Sequence, residues 1–212
     1  NFTAGQAITS ATNITAYPSG FNPHSTEAWI RPVAATANVL GWGTDLGWGR
    51  VLIQLIKPQF NSPSCMNVDS WSGGANVAGS TSIALSNWVH VAHTYKNGQA
   101  KLYVNGVPNG TNTSGTMNIP TPLRLYLGGW NGAYDYAGDM DEVRISSVTR
   151  SANWIRLEYE NQKPLQTLVG SLVQDGSAFS VTPASVTMNE GTGTNLIAQA
   201  GGAQKVYWIV KQ

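Results

Sequence analysis

Two glycine-rich stretches concentrate the side chains whose types and spacing suit chemistry. Gly41-Trp42-Gly43-Thr44-Asp45-Leu46-Gly47-Trp48-Gly49 and Gly128-Gly129-Trp130-Asn131-Gly132-Ala133-Tyr134-Asp135-Tyr136 each combine aromatic rings, glycines and an aspartate. Aromatic faces stack on the apolar faces of pyranose rings, and Asn and Asp bond the ring hydroxyls. Trp42, Trp48, Trp130, Asn131 and Tyr134 therefore form a candidate ligand surface. Trp71, in Asp69-Ser70-Trp71-Ser72-Gly73-Gly74, is a candidate third wall. A structural reading competes: Trp42 and Trp48 also suit core positions at strand ends, and at least one of these tryptophans is expected outside any ligand site.

Carboxylates offer a second chemistry. Asp139 and Asp141 stand two apart on one expected strand, about 6.6 Å along the backbone, a separation compatible with the paired carboxylates of retaining glycosidases. Histidine offers less, because on a strand His90 and His93 point to opposite faces and His24 is remote in sequence. No Gly-x-Ser-x-Gly elbow, phosphate loop or His-Glu-x-x-His run occurs. Cys65 is the single cysteine, which excludes an intrachain disulfide and a cysteine zinc site; it reads as a small buried apolar residue.

Composition narrows the partners. Only 11% of the 212 residues are charged, the net charge is +1, and Gly and Trp number 23 and 8. That balance fits an extracellular β protein with uncharged polar loops. Lys and Arg are scattered singly, so no basic stripe is seen for nucleic acid or an anionic membrane, and highly sulfated or uronate polymers are disfavoured. No apolar run approaches the roughly 20 residues that span a bilayer, so no membrane insertion is expected. No secretion signal opens at Asn1; one is expected to have been removed or to lie outside this sequence. Asn-x-Ser/Thr triplets occur at Asn1, Asn13, Asn109 and Asn112, which Asn- and Thr-rich loops also generate by chance.

The elements that must position these residues read as strands. Apolar and polar residues alternate over Thr26 to Val33, Arg50 to Ile56, Trp88 to Tyr95, Ala100 to Val104, Leu123 to Leu127 and Gly138 to Ile145. Asn97-Gly98 and Asn105-Gly106 supply the positive φ angles of tight hairpin turns. Parity puts Val89 and Val91 in the core and Trp88 as a plug at the sandwich end. It places Met140, Glu142 and Arg144 on one face, opposite Asp139, Asp141, Val143 and Ile145, which makes Asp141 a buried carboxylate. Ser151 can cap a short helix from Ala152 to Glu160, expected across one end of the sandwich. The polar stretch Glu160-Asn161-Gln162-Lys163-Pro164 marks a boundary: a first domain at 1–162, a linker at 163–176 and a second β segment at 177–212. Strands in that segment are expected at Phe179 to Pro183, Ala184 to Met188, Leu196 to Ala198 and Val206 to Val210. These are too few for an immunoglobulin sandwich of about seven strands, so the segment reads as a truncated, immunoglobulin-like domain.

Four runs carry a family resemblance: Thr26-Glu27-Ala28-Trp29-Ile30-Arg31-Pro32; Asn87-Trp88-Val89-His90-Val91-Ala92 leading to Leu102-Tyr103-Val104-Asn105-Gly106; Leu127-Gly128-Gly129; and Gly138-Asp139-Met140-Asp141-Glu142-Val143-Arg144-Ile145. Together they resemble the concanavalin A-like, laminin-G-like domains of bacterial secreted and surface proteins, over approximately residues 2–162. The resemblance implies an all-β antiparallel jelly-roll sandwich in which the loops before Arg50 and before Gly138 meet at one rim. It also implies Ca²⁺ at that rim, held by Asp45 with Asn131 or Asp135, although the second loop is shorter and less acidic than in pentraxins. Glycoside hydrolases of this broad fold resemble Glu-x-Asp-x-x-Glu, and Asp139-Met140-Asp141-Glu142 has no Glu at either catalytic place. The expectation is a non-enzymatic carbohydrate-binding or adhesion module of a larger secreted or cell-surface protein, its partners a polysaccharide or glycan and neighbouring domains. The rivals are a structural or protein-interaction module and a glycan-active enzyme.

Overall fold

The computed structural model describes residues 1–3, 6–35, 37–44, 51–59, 62–70, 74–119, 121, 124–129, 134–164, 180–182, 193–200 and 203–210. Two compact units divide at Pro164/Leu165. In the first, the described strands are β1 (Ile8–Thr9), β2 (His24–Pro32), β3 (Ala37–Gly43), β4 (Val51–Gln59), β5 (Ser62–Ser70), β6 (Val77–Ser82), β7 (Val89–Lys96), β8 (Gln99–Val104), β9 (Val107–Asn112), β10 (Arg124–Leu127) and β11 (Gly138–Ser146), followed by the helix α1 (Ala152–Gln162). The six expected segments are β2, β4, β7, β8, β10 and β11, and the other five strands were not expected.

Among the described residues the strands form two antiparallel sheets, one ordered β1-β10-β3-β4-β5-β6 and the other β11-β2-β7-β8-β9. The expected hairpins form: Lys96 pairs with Gln99 around Asn97 and Gly98, and Val104 pairs with Val107 around Asn105 and Gly106. All four turn residues have φ between 49° and 77°, the left-handed region that Asn and Gly tolerate best.

Between the sheets lies one core that includes Ile30, Val39, Leu40, Trp42, Met66, Val68, Val89, Val91, Leu102 and Tyr136. Cys65 is buried and makes no disulfide. The edge strands β6 and β9 close one side of the sandwich. A Cβ added at Gly110 would lie 2.4 Å from the carbonyl oxygen of Ala78, so only glycine fits there.

The helix forms where expected, with Ser151 Oγ accepting a hydrogen bond from the Trp154 amide. It lies on the outer face of the five-stranded sheet rather than across an end. Ile155 packs with Ala92 and Tyr103, whose neighbours Val91 and Leu102 face the core. The turn at Gly106 meets Tyr159 and Arg156 so closely that a Cβ there would be 3.1 Å from the Tyr159 ring.

Three local expectations are corrected. Trp88 is 43% exposed rather than a plug, with the Arg31 guanidinium 5.6 Å from its ring centroid. On β11 the register slips between Asp141 and Arg144, and Glu142 takes φ of 50°. This bulge inverts the alternation, so Met140 and then Val143 and Ile145 all pack against the core, and Asp141 is exposed instead of buried.

The second unit's described strands are β12 (Ser180–Thr182), β13 (Gly193–Ala200) and β14 (Ala203–Val210), an antiparallel three-stranded sheet in that order. The expected strand from Ala184 to Met188 and the expected linker beyond Pro164 lie outside the described residues.

Candidate functional site

Antiparallel pairing fixes where each candidate loop leaves the six-stranded sheet. Gly43 pairs with Val51, and across β4 Leu52 pairs with Ser70, so the segments carrying Asp45 and Trp48, and Trp71, spring from one end. The Gly128-to-Asp135 loop springs from the other: Leu127 pairs with Leu40, and the Asn38 amide donates to the Tyr134 carbonyl at 2.8 Å. Five residue steps along β3 lead from Asn38 to Gly43, on the order of 15 Å. The anchors of the two loops therefore do not meet at one rim as the resemblance implied, because they sit at opposite ends of the same strand.

Trp42, one of the candidate sugar-stacking rings, is instead part of the core. It is 0% exposed, its indole N–H donates to the Pro18 carbonyl at 2.8 Å, and its ring meets His24 edge-on at 5.2 Å. A ring with no open face cannot stack on a ligand, so Trp42 leaves the ligand set. Asp45, Trp48, Trp71, Trp130 and Asn131 lie outside the described residues.

Tyr134 and Asp135 are described, and both are exposed. Their loop is held at its base from two directions. Asn38 Nδ2 donates to the Gly129 carbonyl at 2.7 Å while its backbone N–H holds Tyr134, and Tyr136 N–H donates to the Gly128 carbonyl at 2.7 Å. Tyr136 is buried, its hydroxyl donating to the Asp139 carbonyl at 2.8 Å, and burial raises its pKa well above the ordinary phenol value. Tyr134 is 40% exposed at φ of 54°. A non-glycine residue in that region carries strain, which the clamped loop sustains. Asn38 was missed in the sequence; the signal was a lone amide in the otherwise apolar run Ala37-Asn38-Val39-Leu40. Its Oδ1 is buried without a hydrogen-bond partner.

The other titratable candidates separate. Asp139 is engaged by Arg31, whose Nε–H donates to its carboxylate at 2.7 Å, and it lines a depression with Phe2 and Val33. Asp141 instead lines a groove with Trp29, Trp88 and Gln162, so the two carboxylates do not share one cleft. His24 and His93 face the core, 5.5 Å apart between ring centroids. Burial lowers the His24 pKa to about 4 against the gain from its Asn22 carbonyl contact, and burial with the neighbouring His24 lowers His93 well below 6.5. His90, on the opposite face as expected, has Nε2 3.7 Å from buried Glu27 Oε2. Among the described residues no three of His, Cys, Asp and Glu gather as a metal-holding group, and no helix is long and apolar enough to cross a membrane.

Two stacked antiparallel sheets with loops at both ends define an all-β jelly-roll sandwich. A laminin-G model described as the concanavalin A-like lectin/glucanases superfamily matches residues 3–156, and the chain belongs to that family. Solved structures show the same fold at low identity. Domain 4 of AbnA, a GH43 extracellular arabinanase from Geobacillus stearothermophilus in complex with arabinotriose, is similar with a TM-score of 0.58 and 19% identity, covering 73% of each chain. The CBM40 of the Ruminococcus gnavus IT-sialidase, bound to α2,3-sialyllactose, has a TM-score of 0.53 and 14% identity over 71% of this chain and 97% of its own. A SAP-like pentraxin from Limulus polyphemus has a TM-score of 0.53 and 13% identity over 72% of this chain and 81% of its own. No curated protein matches the sequence.

Proposed function

We propose that the first unit is a non-catalytic carbohydrate-binding or adhesion module of a larger extracellular or cell-surface protein, bacterial by its resemblance. The observation that carries this reading is Tyr134, an exposed aromatic ring presented by strained backbone from a loop clamped at its base, with the exposed Asp135 beside it. A preformed ring loses little conformational freedom on stacking against a sugar, and a neighbouring carboxylate can accept from hydroxyls. The sugar complexes of the arabinanase domain and of CBM40 are properties of those proteins; they support the reading because the fold is shared. Trp130 and Asn131, in the same loop, complete the proposed surface, while Trp48 and Trp71 belong to loops anchored at the other end. Calcium is proposed at the Tyr134 loop: Asp135, the unpartnered Asn38 Oδ1 and Asn131 offer the all-oxygen donors it prefers. Asp45, anchored at the far end of β3, is the weakest member of the proposed set.

A glycan array run on the full chain, with and without EDTA, tests the reading. Tyr134→Ala should weaken a neutral glycan hit about fivefold, the equivalent of about 1 kcal/mol for one ring–sugar stack. Its unfolding free energy should change by less than about 0.5 kcal/mol. Unchanged affinity would remove the loop from the site, and an array without hits would favour the structural-module reading. Insensitivity of both binding and melting temperature to EDTA and added Ca²⁺ would retire the metal.

A further inference from the structure

A second polar depression lies on the outer face of the five-stranded sheet, where α1 begins. This open depression has a volume of about 600 Å³, within the range of small-ligand sites and room for a sugar residue as well as a charged substituent. Lys96, Lys101 and Arg150 line it together, and no acidic side chain does.

The sequence spreads these cations apart, and the fold gathers them. Lys101 stands opposite Thr94 and Lys96 opposite Gln99 in the β7–β8 ladder. Arg150 is brought above them by the start of α1: its backbone N–H donates to Ser25 Oγ at 2.8 Å, and its guanidinium lies 4.3 Å from the Trp154 ring centroid. That ring contact holds the guanidinium, whose Nε is buried without a hydrogen-bond partner.

Three other cations of this unit meet carboxylates: Arg31 with Asp139, Arg144 with Glu142 and Glu158, Lys163 with Glu160. Lys96, Lys101 and Arg150 form no ion pair among the described residues. The helix adds to the imbalance. Its first turn carries no acidic residue, and Ser151 and Ala152 at its start line the depression, which puts the positive end of the helix dipole beside it. Three like charges and an uncompensated helix start, ringed by the hydroxyls and amides of Thr94, Gln99 and Thr149, are complementary to an oxyanion that carries its own hydroxyl groups.

We infer that this cleft binds the oxyanion of an acidic glycan, either a uronate carboxylate or a sulfate ester. The inference rests on the carbohydrate-binding reading but uses a face of the molecule separate from the Tyr134 loop. It also reverses the expectation, drawn from single spacing of Lys and Arg, that acidic polymers are disfavoured.

Calorimetric titration of the full chain with oligogalacturonate, chondroitin sulfate oligosaccharide and a neutral arabino-oligosaccharide tests it. At least one acidic oligosaccharide should bind at least tenfold more tightly than the neutral one, with affinity falling as salt is raised; which acidic arm binds identifies the group. Lys96→Gln/Lys101→Gln should weaken that binding about tenfold while leaving the melting temperature and any neutral-glycan binding unchanged, and Tyr134→Ala should leave acidic binding intact. Where oligosaccharides bind, acidic ones binding no better than the neutral one, or binding the double variant as well as the wild type, would overturn the site. If no oligosaccharide binds at all, the carbohydrate reading itself fails. Titration with inorganic sulfate, followed by NMR at Lys101 and Arg150, then decides the cleft separately: saturable shifts lost in the double variant uphold an anion site, and their absence overturns it.

Discussion

The two faces of the five-stranded sheet treat the same residue type in opposite ways. His93 and His90 lie three positions apart on β7, so alternation sends one inward and the other outward. Inward, His93 joins His24 and the stacked Tyr95 in a region without counter-charges, and burial holds both imidazoles neutral. Outward, His90 faces Glu27 beneath α1, where Trp29 and Tyr159 stack at 5.8 Å and Gln162 Oε1 accepts from the Trp29 indole at 2.6 Å. Among the described residues, only the outer face pairs a histidine with a carboxylate, and there the sheet also presents three cations in an open cleft. The difference teaches that burial alone does not mark the chemistry of a face; what covers it does. A second sheet gives a dry core, whereas one amphipathic helix leaves room for polar networks at its flanks.

The comparison can be broken most severely from inside. Tyr95→Ala removes a ring stacked on His24 and strands the Met117 amide that donates to its hydroxyl at 3.0 Å. Loss of about 3–5 kcal/mol in a urea titration is expected, in the range of other large aromatic deletions. Acid probes the same face more gently. Because the folded pKa of His24 lies below its unfolded value of 6.5, the unfolded chain binds more protons between about pH 4 and 6.5. Stability is therefore full above about pH 6.5 and falls as pH drops toward 4, by about 3 kcal/mol from His24 alone, with His93 acting in the same direction. Unfolding curves for wild type and His24→Gln between pH 7 and 4 check this; equal slopes would mean that the inner histidine does not govern acid stability. The smallest effect belongs to the outer face: Ser151→Ala removes the helix cap and should cost about 1 kcal/mol. A loss near that of Tyr95→Ala would show that α1 is integral to the sheet rather than laid upon it.

Local chemistry was legible in the sequence. Alternation set the six expected strands close to their final bounds, Asn-Gly pairs set two hairpins, and Ser151 set the start of the helix, because each of these depends on φ preferences and hydrogen bonds within a few residues. The family was legible for the same reason, as four motifs lying on such elements. Parity failed at Asp141, since the bulge at Glu142 adds a residue that no local pattern announces. Trp42 and Tyr134 both belong to glycine-rich, aromatic stretches, yet one is core and the other exposed, because burial depends on which strand packs opposite.

Position at the two ends of β3 was likewise a tertiary decision: the pairing register, not loop composition, sends the Asp45 and Tyr134 segments in opposite directions. So was the gathering of Lys96 and Lys101, held together by the β7–β8 hairpin, with Arg150, which joins them only when α1 docks on the sheet. The sequence by itself determined the elements and their family, through short-range backbone preferences. The tertiary structure decided which side chains share a cleft, because that depends on register and layer packing between residues dozens of positions apart.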